Sequence, residues 1–287
     1  MAKTGKRAAL KGVLIFLALN LPVSFVFASF CSFDRTEFGM GDALIYVYML
    51  FPVGFALLTQ FLTGERPNLD LTGSCVKYTV IGWYLILLIM VGGYAVFFAL
   101  HPQQLASGEA IRTALTPILA RFLFFPGIIA GIVMLSEEYG WRGYLQPKLT
   151  RAMGVVPATL VTAIIWAVWH IPLLMKESQL SQVSSQLVPA GGWVGYFLLG
   201  YIPLTIAISM LLSFVSLKSR SALPAAFLHA CYNGCTMELM GLRADRPAAA
   251  AFSLDHPLYY CVALMAVVGV PMMLHLRRLE KEGALLD

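Results

Sequence analysis

Three short segments of the chain carry side chains of the types that activate water and stabilise a developing negative charge. They supply two carboxylates, a guanidinium, two imidazoles and an amide: Glu137, Glu138, Arg142, His170, His229 and Asn233. A carboxylate can take a proton from water as a general base, and N–H donors can stabilise the oxyanion that the attack creates. A base that activates water and donors that stabilise the oxyanion are the minimum that hydrolysis of a peptide bond requires.

The spacing of the first segment separates two adjacent glutamates by role. Glu138 and Arg142 are four residues apart with the acid first, which is the order that favours an ion pair on one helix face. Glu137 points about 100° away around the same helix. We therefore expect Arg142 to hold Glu138 as an orienting ion pair, and Glu137 to act as the base that activates water.

The two histidine segments predict the other half of such a site. Trp166 and His170 are four residues apart, so an aromatic ring can pack on the imidazole while His170 shares or positions the water. His229 and Asn233 have the same spacing and can donate hydrogen bonds to the oxyanion. Because a bilayer offers no water to these polar groups, we expect the three segments to converge and satisfy one another's hydrogen bonds.

A second chemistry uses some of the same residues. Two histidines and one glutamate are the protein ligands of a common catalytic zinc site, so Glu137, His170 and His229 are candidate metal ligands with an open fourth position for water. The chain has no HExxH helix, the local zinc signature. Residue types alone leave Zn²⁺-assisted and metal-free hydrolysis both open.

The elements that must position these residues are strongly apolar. Hydrophobic residues make up 59% of the 287 residues, charged residues only 12%, and the mean hydropathy is +0.77. Soluble domains carry about 25% charged residues. This composition excludes a soluble globular enzyme, a disordered chain and a nucleic-acid-binding protein. The five cysteines form no CxxC pair and no disulfide framework.

Eight apolar stretches of roughly 20 residues predict an all-α, polytopic membrane protein. They run over about 12–33, 42–63, 77–100, 117–148, 155–175, 193–217, 221–240 and 257–276. With both termini in the cytoplasm, 14 of the 20 basic residues lie on the cytoplasmic side, as the positive-inside rule requires. We expect one integral-membrane domain over residues 1–287.

The candidate residues lie within the fourth, fifth and seventh of these stretches. An ionisable residue inside a membrane span is by default a functional-site hypothesis, because a charge there is costly. Pro126 should kink the fourth stretch, and Pro147 is its expected end. The polar segment 176–192 is expected to form one long outer loop.

The order and spacing of these motifs resemble a known family, the CPBP (CAAX protease and bacteriocin-processing, or Abi) intramembrane proteases, which include the type II CAAX prenyl endopeptidases. The resemblance covers the motif core, about residues 120–240, where Trp166 stands at a position that is usually Phe in the family. It rests on three motifs: Glu137-Glu138-x-x-x-Arg142, Trp166-x-x-x-His170 and His229-x-x-x-Asn233.

The resemblance implies an eight-helix membrane fold with proteolysis in an intramembrane cavity. It implies that Glu137 and His170 activate water and that His229 and Asn233 form the oxyanion site. It also implies membrane-associated substrates, either C-terminally prenylated CAAX-type proteins or bacteriocin-like peptides. The location would be a bacterial or archaeal plasma membrane, or a membrane of the endoplasmic reticulum type. The family has been described both as metalloproteases and as metal-independent glutamate proteases, so zinc stays open.

Two other functions compete with an intramembrane endopeptidase. A proton-coupled transporter would use the buried Glu and His residues as a proton relay, but it predicts internal repeats and paired broken helices, and the sequence has neither. A catalytically silent scaffold of the same fold would bind a partner membrane protein. The expected partners of the enzyme are the lipid bilayer and its peptide or prenylated substrate, with no nucleic acid. The sequence does not indicate an oligomeric state.

Overall fold

The computed structural model describes residues 2–30, 40–67, 73–123, 128–176, 192–243 and 256–285. Within these ranges the regular secondary structure is helical, and the extended backbone pairs only at one isolated bridge between Leu105 and Arg243. The prediction of an all-α protein is confirmed.

The helices vary from five to 29 residues in length. In chain order they are α1 (Ala2–Phe30), α2 (Met40–Met49), α3 (Phe51–Thr63), α4 (Gly73–Leu100), α5 (Glu109–Leu123), α6 (Ile128–Glu138), α7 (Gln146–Met153), α8 (Val155–Trp169), α9 (Ile171–Lys176), α10 (Gly192–Tyr196), α11 (Ile202–Ser219), α12 (Leu223–Leu239) and α13 (Pro257–Lys281). Two π-helical segments, Tyr139–Leu145 and Phe197–Tyr201, join α6 to α7 and α10 to α11.

Six helical stretches of the described chain are long and apolar enough to cross a membrane. They are Arg7–Phe30, Leu44–Thr63, Ser74–Leu100, Val155–Met175, Val194–Ser219 and Pro257–Lys281. Many apolar side chains on these helices face outwards, among them Phe61 at 82% exposed and Val267 at 68%, as contact with lipid requires. The chain is therefore a multi-pass integral membrane protein.

The six stretches coincide with the first, second, third, fifth, sixth and eighth of the predicted spans. The fourth is helical over a similar length, through α6, the π-segment and α7, but it carries Glu137, Glu138 and Arg142 in its interior. The seventh has only 17 residues in α12. The total of eight spans and the cytoplasmic placement of the termini stay predictions. These two helical stretches carry most of the polar residues that the sequence singles out.

The helix that begins with α6 ends later than the sequence predicts. It continues through the π-segment and α7 to Met153, so the predicted end at Pro147 is wrong. Pro147 lies in the first turn after the π-segment, where a proline is tolerated. The chain turns instead at Gly154, whose φ of +90° suits a residue without a Cβ. The predicted kink at Pro126 and most of the predicted outer loop, residues 177–191, lie outside the described residues.

The core lies where α4, α6, α11 and α12 pack together, with α13 against α4 and α11. Three tryptophans, Trp83, Trp141 and Trp169, are fully buried in it. A close approach brings α3 against the first π-segment, since a Cβ on Gly140 would lie 2.6 Å from Pro52. The polar side chains of the protein's interior therefore sit on helices that neighbouring helices hold tightly.

Candidate active site

An ion pair without solvent exposure lies where α6 passes into the π-segment. Nη1 of Arg142 donates to Oε1 of Glu138 at 3.1 Å and lies equally close to Oε2, and both side chains are 0% exposed. The predicted pairing of these two residues is confirmed. Such a pair repays the cost of removing two charges from water only when both partners stay in place.

Glu138 also holds His229, which α12 brings to it from 91 residues further along the chain. Nδ1 of His229 lies 3.0 Å from Oε1 of Glu138. Because an ionised carboxylate can only accept, Nδ1 carries the proton in this contact. The neutral imidazole then has a lone pair on Nε2, and His229 can donate from Nε2 only as an imidazolium.

Arg142 has two further partners that fix its guanidinium. Nη2 donates to Oγ of Ser209 on α11 at 2.8 Å. The face of the guanidinium lies over the Trp166 ring, 4.5 Å from its centroid. One helical turn further on, Gln146 donates to Oγ of Ser213 at 2.6 Å. The π-segment and α7 are therefore joined to α11 by two matched polar contacts.

The carboxylate of Glu137 has a different environment from that of its neighbour. It is 4% exposed, and Oε2 accepts a hydrogen bond from Nε1–H of Trp166 at 3.3 Å. Within the described chain, Oε1 takes no hydrogen bond and Glu137 forms no ion pair. One oxygen of this carboxylate is therefore oriented by a neutral donor, and the other remains for a further partner.

His170 lies at the end of α8, where it caps the helix. Nδ1 donates to the Trp166 carbonyl oxygen at 2.8 Å, so Nε2 is the acceptor in the neutral ring. The edges of Trp166 and Trp169 pack on the imidazole with centroids 5.4 and 4.8 Å away, and Tyr201 lies 5.6 Å from it. The predicted contact between Trp166 and His170 is confirmed. The ring is held so that Nε2 can accept a hydrogen bond from water.

Asn233 lies one turn from His229 but makes a weaker contact. Its Nδ2 lies 3.4 Å from Sδ of Met134 on α6, and the side chain is half-buried. Sulfur is a poor acceptor, so this amide keeps most of its capacity to donate. Its predicted part in an oxyanion site stays a prediction.

The Trp166 indole is the centre of the cluster. It donates to Glu137, lies under Arg142, and packs its ring edge-to-face against His229 at 5.2 Å and His170 at 5.4 Å. Four of the six candidate residues therefore contact one side chain, and Glu138 joins through Arg142 and His229. The expected convergence of three segments is found for these five. Their catalytic roles stay predictions.

Sequence reasoning missed three residues that hold this cluster, namely Ser209, Tyr201 and Trp169. For Ser209 a signal existed, since Ser209, Ser213 and Ser216 recur along one face of an otherwise apolar helix. No local signal marks the π-segments that carry Arg142 and Tyr201. Such segments occur often at functional sites because they re-aim side chains within a helix.

The zinc hypothesis finds partial support in this geometry. In both histidines Nδ1 donates a hydrogen bond to an oxygen atom, an arrangement that is common in metal-binding histidines. Within the described residues, however, no three His, Cys, Asp or Glu side chains lie close enough together to hold a metal ion. The described positions of Glu137, His170 and His229 thus do not fit a three-ligand site, and no chemical step below uses a metal. The four described cysteines, Cys75, Cys231, Cys235 and Cys261, are buried, and none of them forms a disulfide within the described residues.

Comparisons with known proteins identify the segment that contains this cluster. Residues 114–235 match the family described as type II CAAX prenyl endopeptidase Rce1-like. A curated relative from Methanococcus maripaludis, named CAAX prenyl protease 2, is 26% identical over 144 residues, which are 50% of this chain and 47% of the relative. The chain thus spans about half the length of the curated relative it matches. All six candidate residues fall within residues 114–235, and the family resemblance of the motifs is confirmed there.

Proposed function

We propose that this chain, whose residues 114–235 match the Rce1-like type II CAAX prenyl endopeptidase family, is an intramembrane endopeptidase. The observation that carries the proposal is the meeting of Glu137, Arg142, His170 and His229 around the Trp166 indole. A cluster of this composition inside an apolar bundle is costly, and a hydrolytic site accounts for each member of it.

In the first step Glu137 acts as the general base. Its Oε2 is held by the indole N–H, so Oε1 is available to take a proton from water. Nε2 of His170 is an acceptor and can hold the second hydrogen of the same water. The water oxygen then forms a bond to the scissile carbonyl carbon, and the carbonyl oxygen becomes the oxyanion. The proton on Glu137 passes to the leaving nitrogen as the C–N bond breaks.

His229 and Asn233 stabilise the oxyanion by donating hydrogen bonds to it. As an imidazolium, His229 donates from Nε2 while Glu138 balances its charge at Nδ1. Glu137, Glu138, Arg142 and a protonated His229 would together carry no net charge, which suits an apolar interior. The Asn233 amide can supply the second donor.

For the substrate we propose a membrane-associated protein with a C-terminal prenylated cysteine, in preference to a bacteriocin-like peptide. An apolar groove of about 280 Å³ runs between α3 and α6, with Val53, Leu57, Ile132 and Leu135 among its lining residues. Ser136, directly before Glu137, also lines the groove. A prenyl chain could lie here, on the helix that carries the proposed base.

The decisive experiment is cleavage of a synthetic farnesylated CAAX peptide by the purified protein in lipid nanodiscs, followed by mass spectrometry. We expect release of the residues after the prenylated cysteine, with the rate lowered by at least about 100-fold in Glu137→Gln. The control is Glu282→Gln, which replaces an exposed acid at the C-terminal end of α13, outside the proposed site. An unchanged rate in Glu137→Gln would overturn the assignment of the base.

Two further arms of the same assay separate the alternatives. Cleavage of the unprenylated peptide at the same rate would overturn the substrate proposal but not the peptidase. Loss of activity with a chelator, restored by Zn²⁺, would favour the metal mechanism over the metal-free one. If the protein cleaves no peptide and instead carries a proton flux in proteoliposomes, the endopeptidase proposal is overturned in favour of a proton-coupled transporter.

A further inference from the structure

A second polar region, which shares Arg142 with the proposed active site, lies at the end of the bundle where α3, α7 and α11 end and α12 begins. It is a cavity of about 330 Å³, within the size range of small-molecule sites. Its walls carry five cationic side chains: Arg66, Arg142, Lys148, Arg151 and Arg220. The single carboxylate among the lining residues is Glu65.

The cations of this cavity are incompletely paired. Lys148 pairs with Glu65 at 2.7 Å, and Arg142 pairs with Glu138. The other three arginines are exposed, and no acidic side chain of the described chain lies within ion-pair distance of them: Arg66, Arg151 and Arg220. The cavity therefore has a surplus of about three positive charges.

The deepest cation has unused donor capacity as well. Arg142 is 2% exposed, and its Nε–H finds no hydrogen-bond partner among the described residues. A buried polar hydrogen without a partner is unusual in a folded protein. An anion in the cavity that Arg142 lines would offer the missing acceptor.

Arg220 occupies its position at a conformational cost. It ends α11 with φ of 58° and ψ of 23°, and it is the one non-glycine residue with positive φ in the described ranges. Glycine or asparagine usually ends a helix in this left-handed conformation. A backbone outlier of this kind justifies a functional hypothesis, and here the strained position holds a guanidinium at the rim of the cavity.

We propose that this cavity binds a phosphate group, presented by an anionic phospholipid head group or by a soluble phosphate. The guanidinium fork matches a phosphate oxygen pair better than any other side chain does. Basic pockets between membrane helices on the cytoplasmic side bind anionic head groups. The predicted orientation, with both termini in the cytoplasm, puts Arg66, Arg151 and Arg220 on that side. The cavity lies at the ends of membrane-length helices, where we expect lipid phosphates to lie.

The proposal is tested by binding, without any use of protease activity. The purified protein in phosphatidylcholine nanodiscs is titrated with phosphatidylglycerol, and separately with inorganic phosphate, while affinity is followed by native mass spectrometry. We expect Arg151→Gln and Arg220→Gln each to weaken phosphatidylglycerol binding by about tenfold, the value of one charge-assisted hydrogen bond. The matched control is Arg278→Gln, an exposed arginine outside the cavity, which should change binding less than twofold.

A fourth variant separates binding from folding. Arg220→Gly places glycine in the left-handed conformation that suits it, so the melting temperature should hold or rise while phosphatidylglycerol binding falls. Binding of lipid alone would identify the head group as ligand, and binding of inorganic phosphate that competes with lipid would identify the free anion. Equal losses in Arg278→Gln and Arg151→Gln, or binding of a peptide carboxylate with no binding of either phosphate, would overturn the proposal.

Discussion

The indole-centred cluster and the basic cavity differ in whether their charged side chains have partners. In the cluster every charged group contacts another polar group, and Glu138 alone holds both Arg142 and His229. In the cavity, three arginines face solvent without an acidic partner in the described chain. Arg142 belongs to both regions, because it lines the cavity and pairs with Glu138.

The difference follows from the cost of an unpaired charge. Inside an apolar bundle each charge must be balanced by a neighbour, so the fold fixes its geometry. At the helix ends water solvates a charge, so an arginine can stay unpaired at little cost and remain available to a ligand. The same contrast operates inside the cluster, where Glu138 has charged partners and Glu137 has one neutral donor.

The largest expected effect concerns these two adjacent glutamates. Glu138→Gln should lower the free energy of unfolding by about 3–5 kcal/mol, because it leaves Arg142 as a buried charge without its partner. Glu137→Gln should change it by less than about 1 kcal/mol, since the amide oxygen still accepts from Trp166. Thermal unfolding of both variants in detergent measures the difference. Equal melting temperatures would mean that the ion pair does not hold the cluster together.

A smaller effect should come from the indole N–H. Trp166→Phe keeps an aromatic ring beside both imidazoles but removes the donor to Glu137, so we expect about 1 kcal/mol of lost stability and a kcat about tenfold lower. The control is Thr79→Val, which also deletes one buried donor, to the Cys75 carbonyl oxygen, on α4. It should lose similar stability and keep kcat. If kcat fell equally in both variants, orientation of Glu137 by Trp166 would be excluded.

The smallest effect should appear at the cavity. Glu65→Gln removes the single carboxylate among the lining residues and releases Lys148 from its partly exposed ion pair. We expect the affinity for phosphatidylglycerol to rise a few-fold, with stability changed by less than about 1 kcal/mol and peptide cleavage unchanged. Lipid titration and thermal unfolding of the same preparation report both quantities. Weaker lipid binding in Glu65→Gln would contradict an electrostatic origin of the site.

Local patterns predicted a large part of this molecule. Apolar composition and the length of the hydrophobic runs identified a helical membrane protein, because both reflect the solvent that each residue meets. The four-residue spacing of Glu138 and Arg142 identified their ion pair, and that of Trp166 and His170 their contact, since helix geometry alone brings such residues together. The prediction that this helix ends at Pro147 was wrong, because the proline lies in the first turn after the π-segment and the helix continues to Met153.

Other features depend on residues far apart in the chain. The contact of His229 with Glu138, and those of Ser209 and the Trp166 indole with Arg142, join four helical segments whose order gives no sign of which faces meet. The basic cavity likewise collects arginines from α7 and from segments after α3 and α11. The sequence by itself determined the lipid environment of the chain, its helical secondary structure and the types of side chain at the site. Only the tertiary structure decided which buried charges are neutralised and which arginines stay unpaired, because pairing is a property of packed neighbours.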